Sequence, residues 1–356
     1  MLFVYGKSMN DGHEPGSDAA KRRRKVEEII MKRKVIGTVL TAALAVSMLA
    51  GCSSSQSTEA TTTAETAEET TTEEATTEEA TTEAAEETTE AAEQVSGEVT
   101  AAGSSALLPL AQEAAEKFMD LNPDCVVTVN GGGSGEGLKQ VADGAIDIGN
   151  SDVYAEEKLD ADAAADLVDH EVCVITMAPV VNADLGVTDL TTEQLTGIFT
   201  GEITNWSEVG GPDEEILLVT RPSSSGTRAL FKNWALNGAE EASNEALETD
   251  DSGTLLQTVQ QNTGAIGYVA LSYLVDNDTV ATVSIDGVEP SLENTYNGTY
   301  KVWGFEHMYT NGEGTAEAQA FINYMMGDDF GTEIEAMGYG VSSKMSDEAL
   351  AAHESN

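Results

Sequence analysis

Residues 216–235 read ILLVTRPSSSGTRALFKNWA. The apolar run at 216–220 predicts a β-strand, and the apolar spacing of Leu230, Phe231, Trp234 and Ala235 predicts one face of a helix. Between them lies a turn of small and hydroxyl residues. A strand, a short turn and a helix in series are the building unit of α/β proteins.

The same pattern extends in both directions along the chain. Strands are predicted at 99–102, 126–129, 146–148, 172–181 and 264–269, and helices at 107–118, 137–143, 191–198 and 316–326. Two of the connecting turns resemble the first in composition: Gly103-Ser104-Ser105-Ala106 and Gly131-Gly132-Gly133-Ser134-Gly135. The sequence therefore predicts an α/β fold.

Positive charge is concentrated at one of these turns. Arg221 and Arg228 are the only arginines in residues 52–356, which carry eight basic and 58 acidic residues. A guanidinium group donates a planar fork of hydrogen bonds that matches anionic oxygens, and a helix N-terminus adds free N–H groups. Each turn alone could simply cap its helix. Three such turns together with both arginines favour an anion site.

An aspartate also follows a predicted strand, in the segment Asp147-Ile148-Gly149-Asn150-Ser151-Asp152. Ligands of open α/β sheets collect at the carboxyl ends of strands. A carboxylate there repels an anion unless the anion carries a proton. Asp152 could accept the proton of hydrogen phosphate, whereas sulfate would leave two acceptors opposed. An ordinary turn or cap role for Asp152 is the alternative.

Charge and motif content exclude several functions. The formal net charge of −46 disfavours nucleic acid and anionic lipid as partners. His170, His307 and His353 lack metal-ligand spacing, no Gly-x-Ser-x-Gly motif is present, and the Gly132–Lys139 segment departs from a nucleotide P-loop. We therefore expect no enzyme activity, no metal and no cofactor.

The N-terminal region predicts export. Residues 1–51 contain a basic cluster at 32–34 and an apolar stretch at 35–48, followed by Leu49-Ala50-Gly51-Cys52, a pattern typical of a bacterial lipobox. Cys52 is then the lipidated residue, with a plain secretory signal as the alternative. Met31 is a better start for this leader than Met1.

Residues 52–97 follow as a tether of Thr, Glu and Ala that has no apolar periodicity and is predicted to be disordered. Glycosylation of its threonines stays open. Cys125 and Cys173, in apolar runs, are predicted to be free thiols, although export would permit one disulfide.

Five segments in series resemble the phosphate-binding lipoproteins of the high-affinity bacterial phosphate ABC importer. They are 103–106, 130–135, 147–152, 197–206 and 221–228. The resemblance spans about 99–345. It implies a two-lobed periplasmic-binding-protein fold of type II with two hinge crossings. Lobe I would be 98–172 plus 303–350, lobe II would be 173–302, and 351–356 would be a tail.

The resemblance also implies a set of phosphate contacts between the lobes. These are Ser105, the N–H of Ala106, Ser134, Asp152 as proton acceptor, Arg221, Ser225, Gly226 and Thr227. Arg228 lies outside the set and is assigned to orienting the loop. The implied partners are inorganic phosphate and the importer's permease subunits with a cytoplasmic ATPase, and the implied location is the extracytoplasmic face of the cell membrane. Open alternatives are another oxyanion (sulfate, molybdate or a phosphonate), a cell-surface phosphatase, and an adhesin.

Overall fold

Eight strands of the protein form one mixed sheet. The computed structural model describes residues 94–242 and 247–354, without the side chains of Asp328, Asp329 and Glu354. The leader, Cys52 and the predicted tether up to residue 93 lie outside the described residues. The strands are β1 (Gly97–Gly103), β2 (Cys125–Asn130), β3 (Ile148–Ser151), β4 (Leu167–Asn182), β5 (Asp189–Leu190), β6 (Leu217–Leu218), β7 (Ala265–Ala270), β8 (Val280–Thr282), β9 (Ser284–Ile285) and β10 (Trp303–Asn311).

The strand order is β2-β1-β3-β10-β4-β7-β6, with β8 on β4, while β5 and β9 form a separate pair. β1 pairs in parallel with β2 and β3, as connections through helices require. β4 and β10 are antiparallel and pair from Trp303–Thr176 to Asn311–Leu167. They join the two ends of the sheet.

The helices connect the strands and cover the sheet. They are Leu108–Leu121, Ser134–Ala142, Ala161–Ala164, Thr192–Phe199, Gly226–Trp234, Ser252–Gln261, Leu292–Tyr296, Ala316–Met325, Asp328–Ala336 and Asp347–Glu354. Thr191 begins its helix with a reciprocal capping box, in which its hydroxyl accepts from Gln194 N and its own N–H donates to the Gln194 side chain. None of the helices in the described ranges is long and apolar enough to cross a membrane.

The interior contains two large apolar clusters on either side of the β4–β10 pair. One is built from β1, β2 and the helices Leu108–Leu121 and Ala316–Met325. The other is built from β4, β7 and the helices Thr192–Phe199 and Gly226–Trp234. Ala106 belongs to the second cluster although its neighbour Leu107 packs in the first, and Val153 belongs to the second although Ile148, five residues earlier, packs in the first. Ala106 and Val153 therefore lie where the clusters meet.

The predicted α/β class is confirmed, with differences in detail. The strand predicted at 146–148 lies at 148–151 instead. Asp147, just before it, accepts bonds from Thr100 N and Thr100 Oγ1 through its carboxylate, each at 2.8 Å. β10 was not predicted. Residues 351–354, where a tail was expected, belong to the helix Asp347–Glu354, which was not predicted.

The final helix is held by an aromatic stack. The ring of His353 lies between Trp234 and Trp303, with centroid distances of 3.5 and 3.7 Å, and its Nε2 is 2.9 Å from Trp303 O. Cys125 and Cys173 are free and buried, as predicted.

Candidate anion-binding site

The three small-residue turns of the sequence come together at the junction of the two clusters. The glycine turn leads into the helix Ser134–Ala142, and the arginine turn leads into the helix Gly226–Trp234, where Ser225 is the N-cap residue. Gly135 N donates to Ser224 O at 3.0 Å, so these two turns are in direct contact. Two helix N-termini therefore converge on one place, where their N–H groups and dipoles favour an anion.

Arg221 organises one half of the site. Its side chain is fully buried, and Nη2 donates to Ser252 Oγ at 2.9 Å and to Tyr268 O at 3.3 Å. Nη1 lies 3.4 Å from Ser105 Oγ and 3.3 Å from Asp250 O. Ser105 Oγ in turn contacts Asp250 O at 2.7 Å and Ser252 Oγ at 3.0 Å. The first turn is thereby joined to Arg221 across the junction.

Asp152 organises the other half. Thr227 Oγ1 donates to Asp152 Oδ2 at 2.6 Å, and Asp152 N donates to Ser134 Oγ at 3.1 Å. Gly226 packs so closely that an added Cβ would lie 2.2 Å from Ser134 Oγ and 3.1 Å from Asp152 Cβ. Only glycine fits between Ser134 and Asp152 in this arrangement.

Several polar atoms at the junction have no hydrogen-bond partner among the residues that the structure describes. They include Arg221 Nε and Asp152 Oδ1. Buried polar groups are normally satisfied, so unpaired ones call for a ligand or solvent. One charged donor and one carboxylate acceptor are the groups that a protonated oxyanion could satisfy together.

Two further acids surround the site. Asp250 is partly buried 3.9 Å from Arg221 Nη1, and burial raises the pKa of its carboxyl while Arg221 lowers it. Glu306 lies opposite Asp152, because β10 runs antiparallel to β3 and His307 pairs with Ser151. Glu306 is fully buried, and desolvation, followed by the Asp152 carboxylate, raises its pKa well above the usual range. Desolvation and the neighbouring carboxylate both disfavour the ionised form of Glu306.

All eight sequence-predicted contact residues are buried at this junction. Ser225, at 1% exposure, caps the helix and accepts from Arg228 N at 3.4 Å. The N–H of Ala106 donates to Ser104 Oγ at 3.1 Å, as does that of Leu107 at 2.9 Å. Ala106 N–H is therefore already bonded within its own turn.

Arg228 contacts the arginine turn itself. Its Nη1 donates to the backbone carbonyl of Arg221, and its Nε lies 3.7 Å from Glu241 Oε2. These contacts fit the predicted role of orienting the turn. Glu136 is exposed and accepts from Gln140 at 2.9 Å, so the carboxylate of the glycine turn is directed elsewhere.

Sequence reasoning missed four neighbours of the site: Lys158, Asp250, Ser252 and Glu306. Asp250 and Ser252 had a detectable signal, because Asp251 between them caps the helix Ser252–Gln261 in another turn of small polar residues. Lys158 could have been singled out as one of few basic residues. Glu306 had no signal, since its position depends on the pairing of β10.

One other group in the described residues could offer metal ligands. Asp169 and Glu171 alternate on β4, and His307 on β10 lies opposite Glu171, which places their ligand atoms within 4.8 Å of one another. His307 Nδ1 is 2.9 Å from Asp169 Oδ1, so a hydrogen bond accounts for this contact.

Comparison with known proteins assigns the family. Residues 88–329 match a family model described as a PBP superfamily domain. The phosphate-binding protein PstS of Bacillus subtilis is 51% identical over 243 residues, which cover 68% of this chain and 80% of that protein. The chain belongs to the PstS family of the PBP superfamily.

Solved structures agree with this family assignment. The crystal structure of a phosphate ABC transporter substrate-binding protein from Clostridium perfringens, with bound phosphate, has a TM-score of 0.63 and 31% sequence identity to this chain. The match covers 69% of this chain and 99% of that one. An ABC-type phosphate transport receptor from Vibrio cholerae has a TM-score of 0.55 and 28% identity, covering 68% and 99%. The resemblance stated from the five sequence segments is thereby confirmed, as is the α/β binding-protein fold.

Proposed function

We propose that this protein captures inorganic phosphate outside the cell and delivers it to the permease of an ABC importer. The observation that carries the proposal is the convergence of buried Arg221 and Asp152, each with an unpaired side-chain atom, at two helix N-termini. This donor and acceptor set suits an ion that has several oxygens and one proton. The family relatives described above support the same ligand.

Within this proposal, Arg221 neutralises the ion, and Ser105, Ser134, Ser225, Gly226 and Thr227 supply hydroxyl or N–H donors. Asp152 accepts the phosphate proton through Oδ1, and the Glu306 carboxyl lies on the protein side of the same carboxylate. Thr227 already donates to Oδ2 and fixes the carboxylate. Ala106 would have to exchange its bond to Ser104 for one to phosphate. Binding of this kind involves no covalent step, so we propose no catalytic residue.

The lobe boundaries are part of the proposal. Residues 98–172 with 303–350 would form lobe I, and 173–302 lobe II, which corresponds closely to the two apolar clusters. Phosphate would be held as the lobes close, because its ligands come from both. We also propose that lipid on Cys52 anchors the protein at the extracytoplasmic face of the membrane.

Titration calorimetry with phosphate and sulfate tests the ligand. We expect 1:1 phosphate binding and at least about 100-fold weaker sulfate binding, because sulfate would leave Asp152 Oδ1 facing an unprotonated oxygen. Asp152→Asn should reduce this preference, since an amide can donate to sulfate. Asp120→Asn removes an exposed carboxylate on the helix Leu108–Leu121 and serves as control.

Equal affinity for the two anions, or unchanged selectivity in Asp152→Asn, would contradict the ligand assignment. Hydrolysis of a chromogenic phosphate ester by the purified protein would instead support the phosphatase alternative. Mass spectrometry of protein from its host would test lipid at Cys52.

A further inference from the structure

Lys158 links the two sides of the candidate site, which are the chain after β3 and the arginine turn. It does so without a hydrogen bond to Asp152 or Arg221. Its Nζ donates to Ser223 O at 2.9 Å and to Ser225 O at 2.8 Å. Both acceptors are backbone carbonyls of the arginine turn, 65 and 67 positions away in the chain. Two of the three ammonium hydrogens are thus used to hold one turn.

Each end of this bridge is fixed to its own side. Lys158 ends a short helical turn, Ala155–Glu157, in which Ala155 is buried and its N–H donates to Tyr309 OH on β10 at 3.2 Å. The arginine turn is closed by a bond of 3.0 Å from Ser225 N to Pro222 O, and Ser225 begins the next helix. Movement between the two sides would therefore break both Lys158 bonds.

Burial and neighbouring carboxylates act in opposite directions on the charged form of Lys158. Burial lowers the pKa of the half-buried ammonium, while the carboxylates of Glu157, Asp152 and Asp250 raise it and Arg228 lowers it. The pKa is lowered on balance. An ammonium in this position stabilises the turn that carries the proposed ligands Ser225, Gly226 and Thr227.

We propose that Lys158 is a latch that holds the closed state and slows phosphate release. The proposal rests on the phosphate function above and assigns Lys158 a positioning role, since it acts through the backbone of the turn. Because the latch forms only when the lobes meet, it affects dissociation more than the first encounter with the ion. A lysine acting only as a positive charge near the site would instead change the association rate and its salt dependence.

Rapid-mixing kinetics distinguish these two roles. Phosphate association and release are measured by tryptophan fluorescence, or with labelled phosphate chased by unlabelled phosphate, at low and high salt. For Lys158→Met, which keeps much of the apolar stem, we expect release about 10- to 100-fold faster and association within about twofold of the parent protein. Lys139→Met is the matched control, because Lys139 is exposed and its ion pair is with Asp143, four residues along the chain and away from the arginine turn.

An unchanged release rate, or an effect confined to association that disappears in high salt, overturns the latch. Should the methionine variant fail to fold, Lys158→Gln applies the same test. Its shorter, neutral amide lacks the charge-assisted bonds of the ammonium, so release should still accelerate about 3- to 10-fold, and an unchanged rate refutes the proposal. Absence of phosphate binding by the parent protein would refute the proposed function itself. Calorimetry on the parent protein detects that outcome independently of the release rates of the variants.

Discussion

Gly226→Ala should prevent closure around phosphate while leaving the fold intact. The new Cβ would lie 2.2 Å from Ser134 Oγ, 2.8 Å from Ser134 Cβ and 3.1 Å from Asp152 Cβ. Carbon atoms in good contact are about 3.5–4.0 Å apart, so the two turns must separate by roughly 1 Å. Gly226 does not have a positive φ, so alanine is compatible with the backbone at this helix start.

The expected loss follows from the bonds that such a separation lengthens. The Thr227–Asp152 bond of 2.6 Å and the donors aimed at the ion would each be stretched beyond useful length. Losing two charge-assisted bonds, at about 1.5–3 kcal/mol each, amounts to about 3–6 kcal/mol. Phosphate affinity should therefore fall between about 100-fold and 20,000-fold.

Calorimetry gives the affinity, and thermal melting without phosphate gives the stability. Alanine in a helix is favoured over glycine by up to about 1 kcal/mol, so the melting temperature should be unchanged or slightly higher. Gly331→Ala is the control, because this glycine lies in the helix Asp328–Ala336 with no atom within 4 Å of an added Cβ. Gly226→Ala binding phosphate within about threefold of the parent protein would refute the steric argument.

Three further outcomes can be measured. Burial raises the pKa of Glu241 to about 7 despite Arg228, so its contribution to stability is full below about pH 4.5 and is lost as pH rises through 7. Glu241→Gln should remove up to about 3 kcal/mol of this decline, as measured by urea unfolding at several pH values. Stability that depends on pH equally in both proteins would contradict this prediction. Burial lowers the pKa of His353 to about 4, so the stability that the neutral ring contributes is lost as pH falls from about 6.5 to 4. His353→Ala should lower the free energy of unfolding by about 1–2 kcal/mol and change the tryptophan fluorescence, because the ring stacks between Trp234 and Trp303. An unaltered fluorescence spectrum would argue against the stack. Cys125 and Cys173 should react with a thiol reagent only after unfolding, and a melting temperature lowered by reductant would reveal a disulfide instead.

Local sequence patterns were sufficient to predict most elements around the site. The turn before Gly226 combines an apolar strand, hydroxyl residues and helical spacing, and each of these acts within a few residues. The same holds for the helix predicted at 191–198, which is found at Thr192–Phe199. The strand predicted at 146–148 begins only at Ile148, where regular pairing with β1 starts, although Asp147 N also donates to Thr100 O, 47 positions away, at 3.0 Å.

The sequence by itself determined which turns carry donors, where both arginines stand and that Asp152 ends a strand, because these properties belong to short segments. Only the tertiary structure decided that Lys158 reaches the carbonyls of Ser223 and Ser225 and that Glu306 lies beside Asp152. Such contacts depend on strand register and on how two separately packed clusters meet. Neither property leaves a periodic signal in the chain, since the partners are far apart in sequence and are brought together by burial elsewhere.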